Sequence, residues 1–117
     1  MRETSAAVVQ EALLGQAAAA SGAGLLVNDD TLRYVATNSA ACKLLGYTRD
    51  QLLGLRVSDI VERPSGGLLE AAREVADGKI RHGTVGVRRK DGQSFPVQYV
   101  SVPAEIGGLP FVLTLLW

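Results

Sequence analysis

Residues able to carry covalent or metal chemistry are few and scattered. The chain has 117 residues with one cysteine, Cys42, and one histidine, His82. A lone cysteine cannot form an internal disulfide or anchor a multi-cysteine zinc site. No His, Cys, Asp and Glu cluster has the spacing of metal ligands. The acids fall at turns and on helix faces expected to meet water, and no nucleophile is paired with a base. Gly66-Gly67 precede a helical pattern, where backbone N–H groups can cradle a phosphate. Without a lysine or a longer glycine pattern, the pair reads as a flexible loop. Arg88-Arg89-Lys90 reads as a solvated strand end, and His82 as a strand-edge residue. This inventory points away from an enzyme and toward a binding role.

The bulk properties narrow the partners. Hydrophobic residues make up 47% of the chain and charged residues 21%, an ordinary globular balance. The length suits one domain with its own core. Twelve Lys and Arg balance twelve Asp and Glu, for a formal net charge of zero. That removes the attraction that drives binding to nucleic acid or anionic membrane. Met1-Arg2-Glu3-Thr4-Ser5 lacks a hydrophobic secretion core, so a reducing cytoplasm is expected. The apolar stretch from Gly107 to Trp117 is too short to span a bilayer.

The elements that must position any site follow from periodicity and turn chemistry. Residues 4–20 read as a helix, because Ala6, Val9, Leu13 and Ala17 recur three or four apart. Residues 23–28 and 32–36 read as strands joined by a turn at Asp29-Asp30-Thr31. Asn38 is an N-cap for a short helix closed by Gly46, and Thr48 with Gln51 matches a capping box. A longer helix is expected over 66–77. Strands over 83–90 and 93–102 flank Asp91-Gly92, a hairpin signal. A three-residue loop, Lys90-Asp91-Gly92, sets Val87 opposite Phe95 and Val85 opposite Val97, which keeps the apolar set on one face. A last strand over 109–117 is expected to add Phe111, Leu113 and Leu115 to that face. Val100, Val102, Val112 and Leu116 are then expected on the other face. A face so apolar calls for a cover, and the N-terminal helix and a second copy of the chain are the two candidates.

Two blocks in this order resemble the PAS domain. Asn38-Ser-Ala-Ala-Cys-Lys-Leu-Leu-Gly-Tyr47-Thr-Arg-Asp-Gln-Leu-Leu-Gly54 is similar to the family's asparagine, Gly-Tyr and Leu-Gly signature. Arg88-Arg-Lys-Asp-Gly-Gln-Ser-Phe-Pro-Val97 is similar to its hairpin signature. The resemblance implies an α+β fold over residues 22–117, with residues 1–21 as an N-terminal amphipathic cap helix. The implied sheet has five antiparallel strands in the order 2-1-5-4-3, with helices over one face. The implied role is sensing and protein–protein coupling, with an output domain or partner regulator downstream. Many PAS domains end in an Asp-Ile-Thr element; Trp117 stands in the aspartate's place, so that coupling device is not carried over.

The family's cofactors are argued against residue by residue. Val57 holds the place of the flavin branch's reactive cysteine, and the positions that read the flavin edge look like Val87, Val97 and Leu115, all apolar. Cys42, in an earlier helix, is expected to be a small core residue. The haem branch needs an axial histidine on the longer helix, and residues 66–77 contain none. What remains is an apolar interior. A packed core is its first reading; a pocket for a small apolar ligand is the second. The pocket would be lined by Leu45, Val57, Ile60, Leu69, Ala72, Val87, Val97, Leu113 and Leu115, with Asn28 and Tyr99 as polar handles. The expected homodimer interface comprises Val9, Leu13, Val100, Val102, Val112 and Leu116.

Overall fold

The computed structural model describes residues 22–62, 74–75 and 77–117. The expected helix over 4–20, with Val9 and Leu13, lies outside the described residues. So does most of the helix over 66–77, including Leu69 and Ala72; its Glu74 and Val75 are described and helical. No helix among the described residues is long and apolar enough to cross a membrane.

In chain order the elements are β1 (Gly24–Asp29), β2 (Tyr34–Thr37), α1 (Ser39–Leu45), α2 (Arg49–Leu52), α3 (Val57–Ile60), β3 (Val61–Glu62), β4 (Arg81–Arg88), β5 (Ser94–Ile106) and β6 (Leu109–Leu116). The strands form one antiparallel sheet in the order β2-β1-β6-β5-β4-β3. Five of these strands take the expected order. The sixth is the two-residue β3, which pairs Val61 with Val87 and Glu62 with Gly86 at the β4 edge. Two residues are too few to show a strand period, so the pattern did not reveal it.

The helices form where caps and burial coincide. Asn38 Oδ1 accepts from the Ala41 N–H at 2.9 Å, and α1 ends at Gly46 in the left-handed conformation. Ala41 and Leu45 fall on one face of α1 and are fully buried. Thr48 and Gln51 complete the capping box: Gln51 N–H donates to Thr48 Oγ1 at 3.2 Å, and Thr48 N–H donates to Gln51 Oε1 at 3.0 Å. Leu52 is the buried residue of α2 and Ile60 that of α3. These four side chains pack with Leu26, Tyr34, Val85, Val87, Val97, Tyr99 and Leu116 from the inner face of the sheet.

The β4–β5 hairpin has the expected register, with Val85 opposite Val97 and Val87 opposite Phe95. Arg89 N–H donates to Gln93 O at 2.8 Å, closing a three-residue loop, and Gly92 sits at φ +90°.

The β5–β6 hairpin corrects the expected face of the last strand. Gly107 and Gly108 form a two-residue turn with φ of +58° and +80°, the geometry that pairs the flanking Ile106 and Leu109 directly. Tyr99 therefore lies opposite Leu116, and Ser101 opposite Thr114. Paired residues share a face, so Val112, Thr114 and Leu116 face the helices. Leu113 and Leu115 lie with Val102 and Val100 on the outer face. This is the reverse of the sequence-based assignment.

Candidate functional site

Between the inner sheet face and the helices lies a cavity of about 80 Å³. The turn from β1 to β2 brings one wall of it into place. Asp29 Oδ1 accepts from Thr31 N–H, Thr31 Oγ1 and Arg33 N–H, at 2.9, 2.7 and 3.0 Å. Leu32 at φ +66° then turns the chain back, and its carbonyl accepts from Val57 N–H at 2.8 Å. Tyr34 N–H donates to Leu55 O at 3.1 Å. These bonds clip the segment leading into α3 against the hairpin, so Val57 and Ile60 close over the cavity.

The walls differ in character. Leu26, Val57, Ile60, Val75, Val85, Val87 and Leu116 give an apolar side. Strands β1, β5, β6 and the start of β4 add a polar strip of Asn28, Ser101, Thr114, Tyr99 and Arg81. Ser101 and Thr114 share a hydrogen bond at 2.7 Å between their hydroxyls. Arg81 Nη1 donates to Glu74 Oε2 at 2.7 Å, which ties the helical residues 74–75 to the sheet. A hydrogen bond with Tyr99, followed by the charge of Glu74, favours the guanidinium form of Arg81 against the cost of burial. Tyr34, 3% exposed, also lines the cavity. Burial and then the negative charge of Asp59 hold its proton on well above the usual tyrosine range.

The structure sorts the expected pocket residues into four groups. Asn28, Val57, Ile60, Val87 and Tyr99 line the cavity. Leu45 and Val97 are buried in the packed core beside it. Leu113 and Leu115 lie on the opposite face of the sheet, and Leu69 and Ala72 are outside the described residues. Arg81, Ser101, Thr114 and Tyr34 escaped sequence reasoning. The signal for Thr114 was the Gly107-Gly108 pair: a two-residue turn makes odd residues of β5 face even residues of β6.

The outer face is the second candidate surface. Val100, Val102, Leu113, Leu115 and Leu25 are half-buried there, and Val27 is 8% exposed. Of the residues expected at a dimer interface, Val100 and Val102 belong to this face. Val112 and Leu116 do not: Leu116 is 2% exposed in the core, and both line the cavity.

His82 is exposed and lies opposite Val100. Cys42 is half-buried against the core and unbridged. Among the described residues no group of His, Cys, Asp and Glu is placed to hold a metal. In the basic run, Arg88 Nε donates to Glu62 Oε1 at 3.3 Å, an oxygen that also accepts from the Ser94 hydroxyl, and Lys90 N–H donates to Leu45 O. The run thus caps a helix and joins strands.

The sequence profile described as "PAS domain" matches residues 22–115. The PAS domain of an HTR-like protein from Haloarcula marismortui is 16% identical, with a TM-score of 0.74; the alignment covers 92% of this chain and 96% of that one. A domain of a sensory box sensor histidine kinase/response regulator from Geobacter sulfurreducens is 21% identical with a TM-score of 0.70, covering 81% and 82%. The LOV domain of a blue-light-activated histidine kinase from Erythrobacter litoralis is 17% identical with a TM-score of 0.66, covering 80% and 93%. No curated protein matches the chain.

A flavin does not fit these residues. Val57 stands on the cavity wall where the resemblance would need a cysteine, and Cys42 sits in α1 instead. The cavity, at about 80 Å³, is far below the several hundred Å³ that such a ligand requires. Of the three edge-reading positions, Leu115 is on the outer face, and the inner-facing residues of β6 are Val112, Thr114 and Leu116. A haem would have to take its axial histidine from His82, the sole histidine, which lies exposed on β4 on the outer side of the sheet.

Proposed function

The chain belongs to the PAS domain family, and from that premise we propose that it is a regulatory sensory module. In this reading it pairs with a second copy of itself through the outer sheet face and relays a signal to an output domain or partner regulator. The supporting observation is the apolar set Val100, Val102, Leu113 and Leu115, contiguous across β5 and β6 and bordered by Leu25. A sheet face left to water carries alternating polar residues, whereas an apolar one is covered. Val9 and Leu13 of the N-terminal stripe belong to the same proposed interface, and the cytoplasm is its proposed setting.

Leu115→Glu puts a charge at the centre of that patch. Light scattering on the parent should give the mass of a dimer, and the variant should give a monomer with an unchanged circular dichroism spectrum. A monomeric parent, or a variant that keeps the dimer mass, overturns the interface.

A second reading is favoured by the cavity: the module senses a small molecule held between α3 and the inner sheet face. The cavity's size and its polar strip of Asn28, Ser101, Thr114 and Arg81 support that reading.

A further inference from the structure

Asn28 and Tyr34 are cross-strand partners at the β1–β2 register, and both line the cavity. They are 5% and 3% exposed. The Asn28 amide donates from Nδ2 to Asp29 O at 3.0 Å, which fixes its orientation and turns Oδ1 away from that bond. Among the described residues neither Asn28 Oδ1 nor the Tyr34 hydroxyl has a hydrogen-bond partner. Neither atom is sealed off: among the described residues the buried side-chain atom left unpaired is Arg89 Nε, so both are open to a molecule in the cavity. Two open polar atoms on paired residues of one cavity wall offer partners to a molecule held there.

Resting on the reading of the cavity as a ligand site, we propose that it takes a compact uncharged molecule of about four heavy atoms with both a hydrogen-bond donor and an acceptor, such as a short primary amide or alcohol. The size follows from volume: a cavity of about 150 Å³ holds benzene, and this one is about 80 Å³. The polarity follows from the two open atoms. Asn28 Oδ1 can only accept, so the ligand must donate to it. The Tyr34 hydroxyl can donate as well as accept, so an accepting group on the ligand completes its donation. A carboxylate has no donor for Oδ1, and the cation on the cavity wall, Arg81, is already paired with Glu74. An ammonium meets the positive guanidinium of Arg81 on the same wall, and the Glu74 carboxylate beside it is already paired. A charged ligand would therefore lose its hydration without compensation. The Ser101 and Thr114 hydroxyls satisfy one another, which leaves the recognition to Asn28 and Tyr34. Val57, Ile60 and Val87 receive the carbon end.

The test is a titration of the ¹⁵N-labelled full chain with acetamide, 1-propanol, acetate and xenon, read from amide shifts in β1, β2 and β6. Acetamide and 1-propanol should give saturable shifts, and acetate none. Tyr34→Phe should weaken both polar solutes about three- to tenfold while xenon shifts persist; Asn28→Ala is a second variant with the same expectation. Xenon binding without saturable binding of the polar solutes overturns the ligand class and leaves the cavity reading standing. Equal affinity in parent and variants, or acetate binding as tightly as acetamide, does the same. If xenon too leaves these amides unmoved, the cavity reading itself fails.

Discussion

At the scale of single residues, Asn38 shows how one amide can join two layers. Its Oδ1 accepts from Ala41 N–H and from Leu25 N–H, both at 2.9 Å, and its Nδ2 donates to Ala23 O at 3.2 Å. The side chain thus starts α1 and fastens it to the beginning of β1. Asn38→Ala should cost about 2–3 kcal/mol in urea unfolding, combining a lost cap with a β1 N–H left without its partner. Asn38→Asp should recover only part of that, because it keeps the accepting oxygen but sets a second oxygen against the Ala23 carbonyl. The capping role was legible in the sequence, since it depends on neighbours three residues away. The tie to β1 was not, because it depends on where the sheet passes. Tyr34 escaped notice for a similar reason. Tyr34-Val35-Ala36-Thr37 is too short to display an alternation, and only its pairing with Asn28 turns the ring inward.

Among the elements, the two C-terminal hairpins teach opposite lessons about register. In β4–β5 the flanking Thr84, Arg88, Ser94 and Gln98 contrast with Val85, Val87, Phe95 and Val97, and the loop length could be chosen by matching faces. In β6, Leu109-Pro-Phe-Val-Leu-Thr-Leu-Leu116, both alternating sets are apolar, so side-chain pattern cannot choose a face. The turn decides it through its residue count. The β1–β2 turn carries a pH prediction. Burial works against ionisation of Asp29, but hydrogen bonds from Thr31 and Arg33 outweigh it and hold the carboxyl below its ordinary value. A group with a depressed folded pKa contributes stability above its unfolded pKa, about 3.9, and loses it as pH falls through the folded value. Asp29→Asn should therefore flatten the fall in stability below pH about 4, as read from urea midpoints at successive pH values. An unchanged slope would remove Asp29 from the acid response.

For the molecule as a whole, the sheet is a wall with two apolar sides, and adjacent residues of β6 belong to different worlds. Leu116 is 2% exposed and packs with Leu26 and Tyr99. Leu116→Glu should destabilise the domain by several kcal/mol, enough to remove its cooperative thermal transition, because the carboxylate enters the core unpaired. Leu115→Glu should keep that transition and change only the association state. A Leu116→Glu protein with the parent's melting temperature would reverse the faces assigned to β6. The order of the strands has one more consequence. β1 and β6 lie side by side, from Gly24 against Leu116 to Asp29 against Phe111, although nearly the whole domain separates them along the chain. As the polypeptide leaves the ribosome, β1 and β2 have no sheet to join until β6 has emerged. Folding is thus held back to the end of the domain's synthesis, and the early strands pass that interval with Leu26 and Tyr34 uncovered.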